Sequence, residues 1–340
     1  MIDDKRLSLL RQRARHVKLF ATDLDGTLLD SKHSLSVENR DALSALADNG
    51  IIIVLATGRS RSSIPDSITG LRGTKYIMTT NGARIHLSET DEVISESFLS
   101  AEALDYIFPF FDDPEVMCVV FWDGVPYVED KRYVAARDYG VPRWYSDYFF
   151  ESRKPISNFK TAVHDNADRI ENINFYFPDA DVQERVRLSL KERTDLYEFT
   201  SSFPFNYEVN GLGVNKGAAL DFIAKREGLT PEEIIAFGDN DNDVTMIEYA
   251  GIGIATANAT AKSIAAASLV TELDNNQSCV AATLKTLGLI WRPRPTPTLS
   301  HRFLQGVIAH LSRNKPLRPR RKLPRRPRAR PLPARSPRIP

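Results

Sequence analysis

Several short apolar runs in this chain each stop at a polar side chain, and that pattern restricts the fold more than any other feature. VKLFAT (Val17 to Thr22) stops at Asp23, IIIVLA (Ile51 to Ala56) at Thr57, and IIAFGD (Ile234 to Asp239) on its own aspartate. Runs this short, rich in β-branched residues and without polar alternation, suit strands covered on both faces, as in a parallel sheet. The stretches between them have helical spacing. SVENRDALSALADNG offers Ser36 as N-cap, sets Leu43, Leu46 and Ala47 on an inner face and closes with Gly50. NKGAALDFIAKREG reads as a second helix ended by Gly228, and Thr230, Pro231 and Glu233 form a capping-box start with proline at the first helical position. Met246 and Ile247 fall on a short helix, GIGIA (Gly251 to Ala255) is a further strand, and YIMTTNGA (Tyr76 to Ala83) is a strand entering an Asn-Gly turn. Strand and helix in alternation predict an α/β fold built on a parallel sheet.

Residues 84–208 break the alternation. They hold 24 of the 31 Phe, Trp and Tyr residues, and segments such as VMCVVFWDGVPYVED and INFYFP read as antiparallel strands with Asp123-Gly124 as a hairpin turn. The expected organisation is a discontinuous core, residues 1–83 and 209–291, with an α+β domain, residues 84–208, inserted into it. Residues 292–340 differ again, with fifteen Lys and Arg, no Asp or Glu, and eleven of the twenty prolines. A segment that repels itself and has little to bury is expected to be disordered or polyproline-like. The net charge of +1 therefore conceals residues 1–291 at −14, from 30 basic and 44 acidic groups.

Other classes are excluded on composition. No apolar run approaches the roughly 20 residues of a membrane helix, so no span is expected. MIDDKRLSLLRQRARH mixes acidic and basic residues and lacks the apolar core and cleavage site of a secretory signal, which leads to the expectation of a cytoplasmic protein. Cys118 and Cys279 stand apart with no ligand-spaced partner, and read as small core residues.

In an open parallel sheet, ligands bind beyond the carboxyl ends of the strands. The residues there are Asp23 and Asp25, Thr57, Asn81, and Asp239 to Asp243, with Lys216 opening a helix. Taken singly, each has a plain structural reading: DLDG is a turn sequence, and a lysine in the first helical turn is usually solvated. Together they read differently, because carboxylates gathered at adjacent strand ends are costly to hold without a cation, and a few oxygens with waters suit octahedral Mg²⁺. An EF-hand is excluded. GDNDNDVTM has Val244 and Ala250 where that loop needs Gly and Glu, and the segment from Asp23 has Leu28 and Ser34. Phosphoryl transfer asks for a nucleophile, a cation on the phosphate oxygens, groups that absorb developing charge and an acid for the leaving oxygen. Asp23, a metal site completed by Asp239, Thr57 with Lys216, and Asp25 match those parts.

The motifs DLDGTLL, ATGR (Ala56 to Arg59), VNKGAAL and GDNDND resemble those of the haloacid dehalogenase superfamily of phosphatases, in particular its Cof-type, sugar-phosphatase-like branch, class IIB. TTNGA and GIGIA with Asn258 extend the resemblance, which spans residues 15–290. It implies a Rossmann-like core, an α+β cap of type C2B inserted between the second and third motifs, and Mg²⁺-dependent hydrolysis through an aspartyl-phosphate. By the same resemblance Asp23 would be nucleophile and metal ligand, and Asp25 would protonate the leaving group, later activate water, and bind the metal through its backbone carbonyl. Asp239 would be the third ligand, with Asp243 supporting the metal or its waters. Thr57, Gly58, Lys216, Asn242 and the backbone of Leu24 would hold the phosphate. Thr256-Ala257-Asn258-Ala259 stands where the branch commonly has Met-Gly-Asn-Ala, and Ser278-Cys279-Val280 replaces its Gly-Val; neither change removes a catalytic group.

The implied partner is a small phosphorylated metabolite, either a sugar phosphate or a flat flavin- or pyridoxal-type phosphate stacked on Trp122 or Trp144. The aromatics of the inserted domain also have a simpler use as its core. Two further readings stay open from sequence: a phosphomutase on the same scaffold, and a non-catalytic protein whose basic tail binds nucleic acid.

Overall fold

The computed structural model describes residues 4–203 and 205–290. Five strands come first, β1 (Leu19–Asp23), β2 (Ile52–Ala56), β3 (Thr74–Thr79), β4 (Arg84–Leu87) and β5 (Val93–Glu96). Six follow in a second sheet, β6 (Met117–Trp122), β7 (Val125–Glu129), β8 (Lys154–Ile156), β9 (Ile170–Tyr176), β10 (Tyr197–Thr200) and β11 (Asn206–Gly211). The chain then returns to the first sheet with β12 (Ile234–Gly238), β13 (Ile252–Ala255) and β14 (Leu269–Val270).

The first sheet runs β14-β13-β12-β1-β2-β3-β4-β5. Its strands are parallel from β14 to β3, and β4 and β5 pair antiparallel at the edge. Alternate residues of the central strands face opposite layers. Phe20, Ile53, Leu55, Ile235 and Phe237 pack under the helices Val37–Asp48 and Cys279–Leu287, while Leu19, Ala21, Val54, Ile234 and Ala236 pack against Lys216–Glu227 and Val244–Tyr249. Helices on both faces make this the expected α/β arrangement. Ser36 and Gly228 cap as anticipated, Ser36 Oγ accepting the Asn39 N–H at 3.1 Å and Gly228 ending its helix; that helix starts at Asn215, whose Oδ1 accepts the Ala218 N–H at 2.9 Å. Thr230 and Glu233 do form a capping box, although it opens only the single 3₁₀ turn Pro231–Glu233.

The second sheet runs β10-β11-β9-β6-β7-β8, and Asp123-Gly124 closes the β6–β7 hairpin. One face carries an apolar core of Cys118, Val120, Ile173 and Phe175 beneath the helices Ala101–Ile107 and Ala180–Lys191. The other face is divided. Met117, Val119 and Phe121 lie under the helix Arg143–Ser152, whereas β9 and β11 present Asn172, Asn174, Asn206, Glu208 and Asn210.

The expected limits of the insertion, 84 and 208, need correcting. Arg84–Leu87 and Val93–Glu96 belong to the first sheet, and the second sheet keeps its last strand through Gly211. The hairpin β4–β5 hydrogen-bonds onto β3, and nothing in runs of four residues shows which sheet will take them. No helix among the described residues is long and apolar enough to cross a membrane. The tail, residues 292–340, expected to be disordered or polyproline-like and in one alternative to bind nucleic acid, lies outside the described residues.

Candidate active site

The order of the first sheet sets β1 beside β12, with β2 and β3 continuing on one side and β13 and β14 on the other. This is the switch point at which an open α/β sheet leaves a crevice at its carboxyl ends. Asp23 ends β1, and Asp239 follows β12. Ligand atoms of Asp23, Asp239 and Asp243, all buried, lie within 4.8 Å of one another. Lys216, fully buried at the first position of its helix, reaches between two of them: Nζ donates to Asp23 Oδ1 and to Asp243 Oδ1, each at 2.6 Å. A lysine there opposes the helix dipole, so its place is held by the carboxylates rather than by the helix. Asp243 Oδ2 also accepts the backbone N–H groups of Asp239 and Asn240 at 2.9 and 3.0 Å. Asp239 accepts Thr27 Oγ1 at 2.7 Å and Asn240 Nδ2 at 2.9 Å. Gly26 is what lets the DLDG turn approach it: φ is +81°, and a Cβ there would stand 2.3 Å from Asp239 Oδ2.

Three ionised carboxylates against one ammonium would leave an excess of two negative charges in this pocket. Burial first, then the charges of Asp243 and Asp25, push Asp23 up to about 8 against the pull of Lys216. Burial and the neighbouring carboxylates raise Asp239 as well. A donor set of carboxylate oxygens with a charge deficit of this size fits a hard divalent cation. Asp23, Asp239 and Asp243 are the side chains whose oxygens lie close enough together to hold one, and Asp243 also fixes the loop beneath it through its bonds to the Asp239 and Asn240 N–H groups.

Asp25 turns away from that cluster. Its oxygens accept Arg59 Nε at 2.6 Å and Nη2 at 2.5 Å, a bidentate pair, and Nδ1 of His33 lies 2.8 Å from Oδ1. Burial by itself would raise this carboxyl, but the Arg59 guanidinium and His33 hold it well below the usual carboxylate range. The helix Arg143–Ser152 places Tyr148 above this group, its ring centre 4.6 Å from the Arg59 guanidinium carbon.

Asp23, Asp25, Thr57, Gly58, Asp239 and Asn242 all line one cavity of about 530 Å³. Thr57 Oγ1 accepts the Arg59 N–H at 3.1 Å. A Cβ on Gly58 would come within 3.1 Å of Asn81 Oδ1, so a side chain there would press on the Asn81 amide. Asn242 Nδ2 donates to Asn81 Oδ1 at 3.0 Å, and Asn81 Nδ2 donates to Glu208 Oε2 at 2.6 Å, which carries the polar network into the second sheet. Leu24 keeps its side chain in the core. Asn258, after the divergent loop, donates to the Gly26 carbonyl at 2.9 Å and steadies the same turn.

The second sheet supplies the rest of the wall, including Tyr145, Tyr148, Arg153, Asn174, Phe203 and Glu208. Trp144, 63% exposed, is part of it. Trp122 is not: it is buried in the apolar layer on the opposite face, stacked on Tyr127 at 3.8 Å. Sequence reasoning passed over His33, Glu208, Tyr148 and Arg153, and took Arg59 only as a letter of ATGR. One signal was present. NINFY and NYEVN alternate polar and apolar residues, which for a strand means one polar face.

A family model for haloacid dehalogenase-like hydrolases matches residues 20–284. Phosphatase YwpJ of Bacillus subtilis is 31% identical to this chain, over 80% of it and 100% of its own length. The 5-amino-6-(5-phospho-D-ribitylamino)uracil phosphatase YcsE of the same organism is 30% identical, over 72% of this chain and 85% of its own. Among solved structures, a haloacid dehalogenase-like hydrolase from B. subtilis superposes with a TM-score of 0.69 at 28% identity, over 79% of this chain and 99% of that one.

Proposed function

Since this chain belongs to the haloacid dehalogenase-like hydrolases, we propose that it hydrolyses phosphate monoesters of small metabolites in a Mg²⁺-dependent reaction in which Asp23 is the nucleophile. The observation that carries this reading is the position of Lys216, whose ammonium bridges Asp23 and Asp243 in a buried, negatively charged pocket at the mouth of the sheet. One oxygen of Asp23 is tied down by that bond, which fixes the carboxylate and leaves its second oxygen to attack.

Each step then has a residue. As the bond from Asp23 to phosphorus forms, the ester bond breaks, and the leaving oxygen takes a proton from Asp25. In the second half, Asp25 removes a proton from water, which attacks phosphorus, releases phosphate and restores Asp23. The Arg59 clamp favours the ionised Asp25 that the water step needs, and the proton Asp25 takes up there is the one it gives to the leaving oxygen of the next turnover. Thr57, Gly58, Asn242 and the backbone of Leu24 receive the phosphoryl oxygens, with Lys216 absorbing charge at the pocket floor. A divalent cation held by Asp23, Asp239 and the Asp25 carbonyl would offset the remaining negative charge and polarise the phosphoryl group. The inserted unit acts as a cap, its Tyr148 closing over Arg59 to keep water from the reacting atoms.

The substrate belongs among small phosphorylated compounds, whether sugar phosphates or esters with a flat ring of the kind the YcsE name describes. A phosphate-release screen over many such esters with Mg²⁺, beside Asp23→Asn, tests the reading. Release that survives the substitution, or a wild type that releases phosphate from no ester, would refute it.

A further inference from the structure

Arg153, just past the helix Arg143–Ser152, sits on the cap side of the cavity with no carboxylate paired to it among the described residues. It is 6% exposed. Nη1 donates to Ser152 Oγ at 2.6 Å, Nη2 donates to the phenol oxygens of Tyr145 at 2.9 Å and Tyr176 at 3.3 Å, and Nε is buried with no acceptor. The rings of Tyr148 and Phe149 are centred 5.0 Å from its guanidinium carbon, and that of Tyr145 at 5.4 Å. Burial pushes the Tyr145 and Tyr176 phenols above their ordinary value, so neither contributes a negative charge.

The other charged groups on this wall are already engaged. Arg59 and His33 share Asp25. Glu208 accepts Asn81 Nδ2 at 2.6 Å, Asn206 Nδ2 at 3.1 Å and the Ser202 hydroxyl. Asn174, the register partner of Glu208, lines the same cavity and keeps a buried Oδ1 without a donor. Aromatic faces and neutral phenols offset only part of the cost of taking a guanidinium out of water, and a counter-charge is what the site lacks. Arg153 and Asp23 line one continuous space of about 530 Å³, which is ample for a small metabolite to touch both.

We propose that Arg153 binds an anionic oxygen group of the substrate, a carboxylate or a second phosphoryl, at the end remote from the phosphate that Asp23 attacks. The inference rests on the phosphatase reading above and narrows it: phosphorylated acids and bisphosphates are preferred over esters that are neutral at the far end. The arriving anion supplies the missing counter-charge in a site of low dielectric, where a fork of guanidinium donors holds a carboxylate or phosphate best. Tyr145, Tyr148 and Phe203 wall the approach.

The test compares kcat/KM of the full chain with Mg²⁺ on glucose 6-phosphate, 6-phosphogluconate and fructose 1,6-bisphosphate, with p-nitrophenyl phosphate as a report of the phosphatase chemistry itself. One or both of the esters with a second anion should exceed glucose 6-phosphate by about ten-fold or more, through KM. Arg153→Met, which keeps the apolar stem, should bring charged and neutral esters to within about two-fold of each other, and Arg153→Lys should restore part of the difference. Equal efficiency on the three sugars in the wild type, or an unchanged ratio in Arg153→Met, overturns the subsite while p-nitrophenyl phosphate turnover leaves the phosphatase standing. No release from any of the four overturns both. If Arg153→Met fails to fold, the wild-type ratio decides alone.

Discussion

Arg59 and Tyr148 join the two halves of the molecule: the guanidinium of the first packs 4.6 Å from the ring centre of the second while clamping Asp25 with two hydrogen bonds. Cap position and the charge on Asp25 are thereby linked through one side chain. In Arg59→Gln the clamp is lost and burial is left to raise the Asp25 carboxyl. The water step uses Asp25 as a base in its ionised form, so the acid limb of kcat against pH, measured where that step limits turnover, should move to higher pH, with a fall of about ten- to a hundred-fold at the optimum. An acid limb that stays in place would count against Asp25 as the base.

The aspartate cluster makes stability depend on pH in a definite direction. Asp23 stands at about 8 in the folded chain against an ordinary 3.8, so between those values the folded state binds more protons than the unfolded one. Metal-free stability must then fall as pH rises through that window. Mg²⁺ competes with protons for the same oxygens, and its stabilising effect should grow as pH rises. Melting temperatures in chelator and in Mg²⁺, taken from about pH 5 to about pH 8.5, should diverge towards the alkaline end. Parallel curves would mean that the cluster binds no cation.

Lys216→Met leaves Asp23 and Asp243 buried without their shared cation. Removing one partner of a buried ion pair costs about 3–5 kcal/mol, and that loss should appear in the urea midpoint measured in chelator, with part of it recovered in Mg²⁺. A change below about 1 kcal/mol would show that the bridge contributes little.

Gly26→Ala brings a methyl group against Asp239 at a left-handed backbone position. We expect about 1 kcal/mol or more of destabilisation and a clear weakening of Mg²⁺ activation, read as the metal concentration for half-maximal rate. Unaltered activation would mean that the turn can move away from Asp239 without disturbing the site.

The two tryptophans separate core from wall. Trp122→Ala removes a buried ring stacked on Tyr127 and should cost about 3–5 kcal/mol in chemical denaturation. Trp144→Ala should change stability by no more than about 0.5 kcal/mol and instead raise KM, most for esters with a flat ring. The reverse pattern would return Trp122 to the site.

What the sequence by itself determined here is local. Buried strands announce themselves as IIIVLA and IIAFGD because a strand covered on both faces has nowhere to put a polar side chain. Ser36 marks a helix start because a cap is settled within a few residues of chain. Asp23, Thr57, Lys216 and Asp239 could be picked out because strand ends are where open sheets bind, and their spacing matches a known family of motifs. Strand order is another matter. That β1 lies beside β12, and that β4 and β5 add to the first sheet rather than the second, depends on pairings between distant segments that no local pattern encodes. The same holds for charge. Lys216 could be named as a site residue, but only the fold shows it buried between two carboxylates, and Asp25 gained its ionised state from Arg59 and its cover from Tyr148. Burial and charge proximity are properties of the assembled core, and they set what each side chain can do.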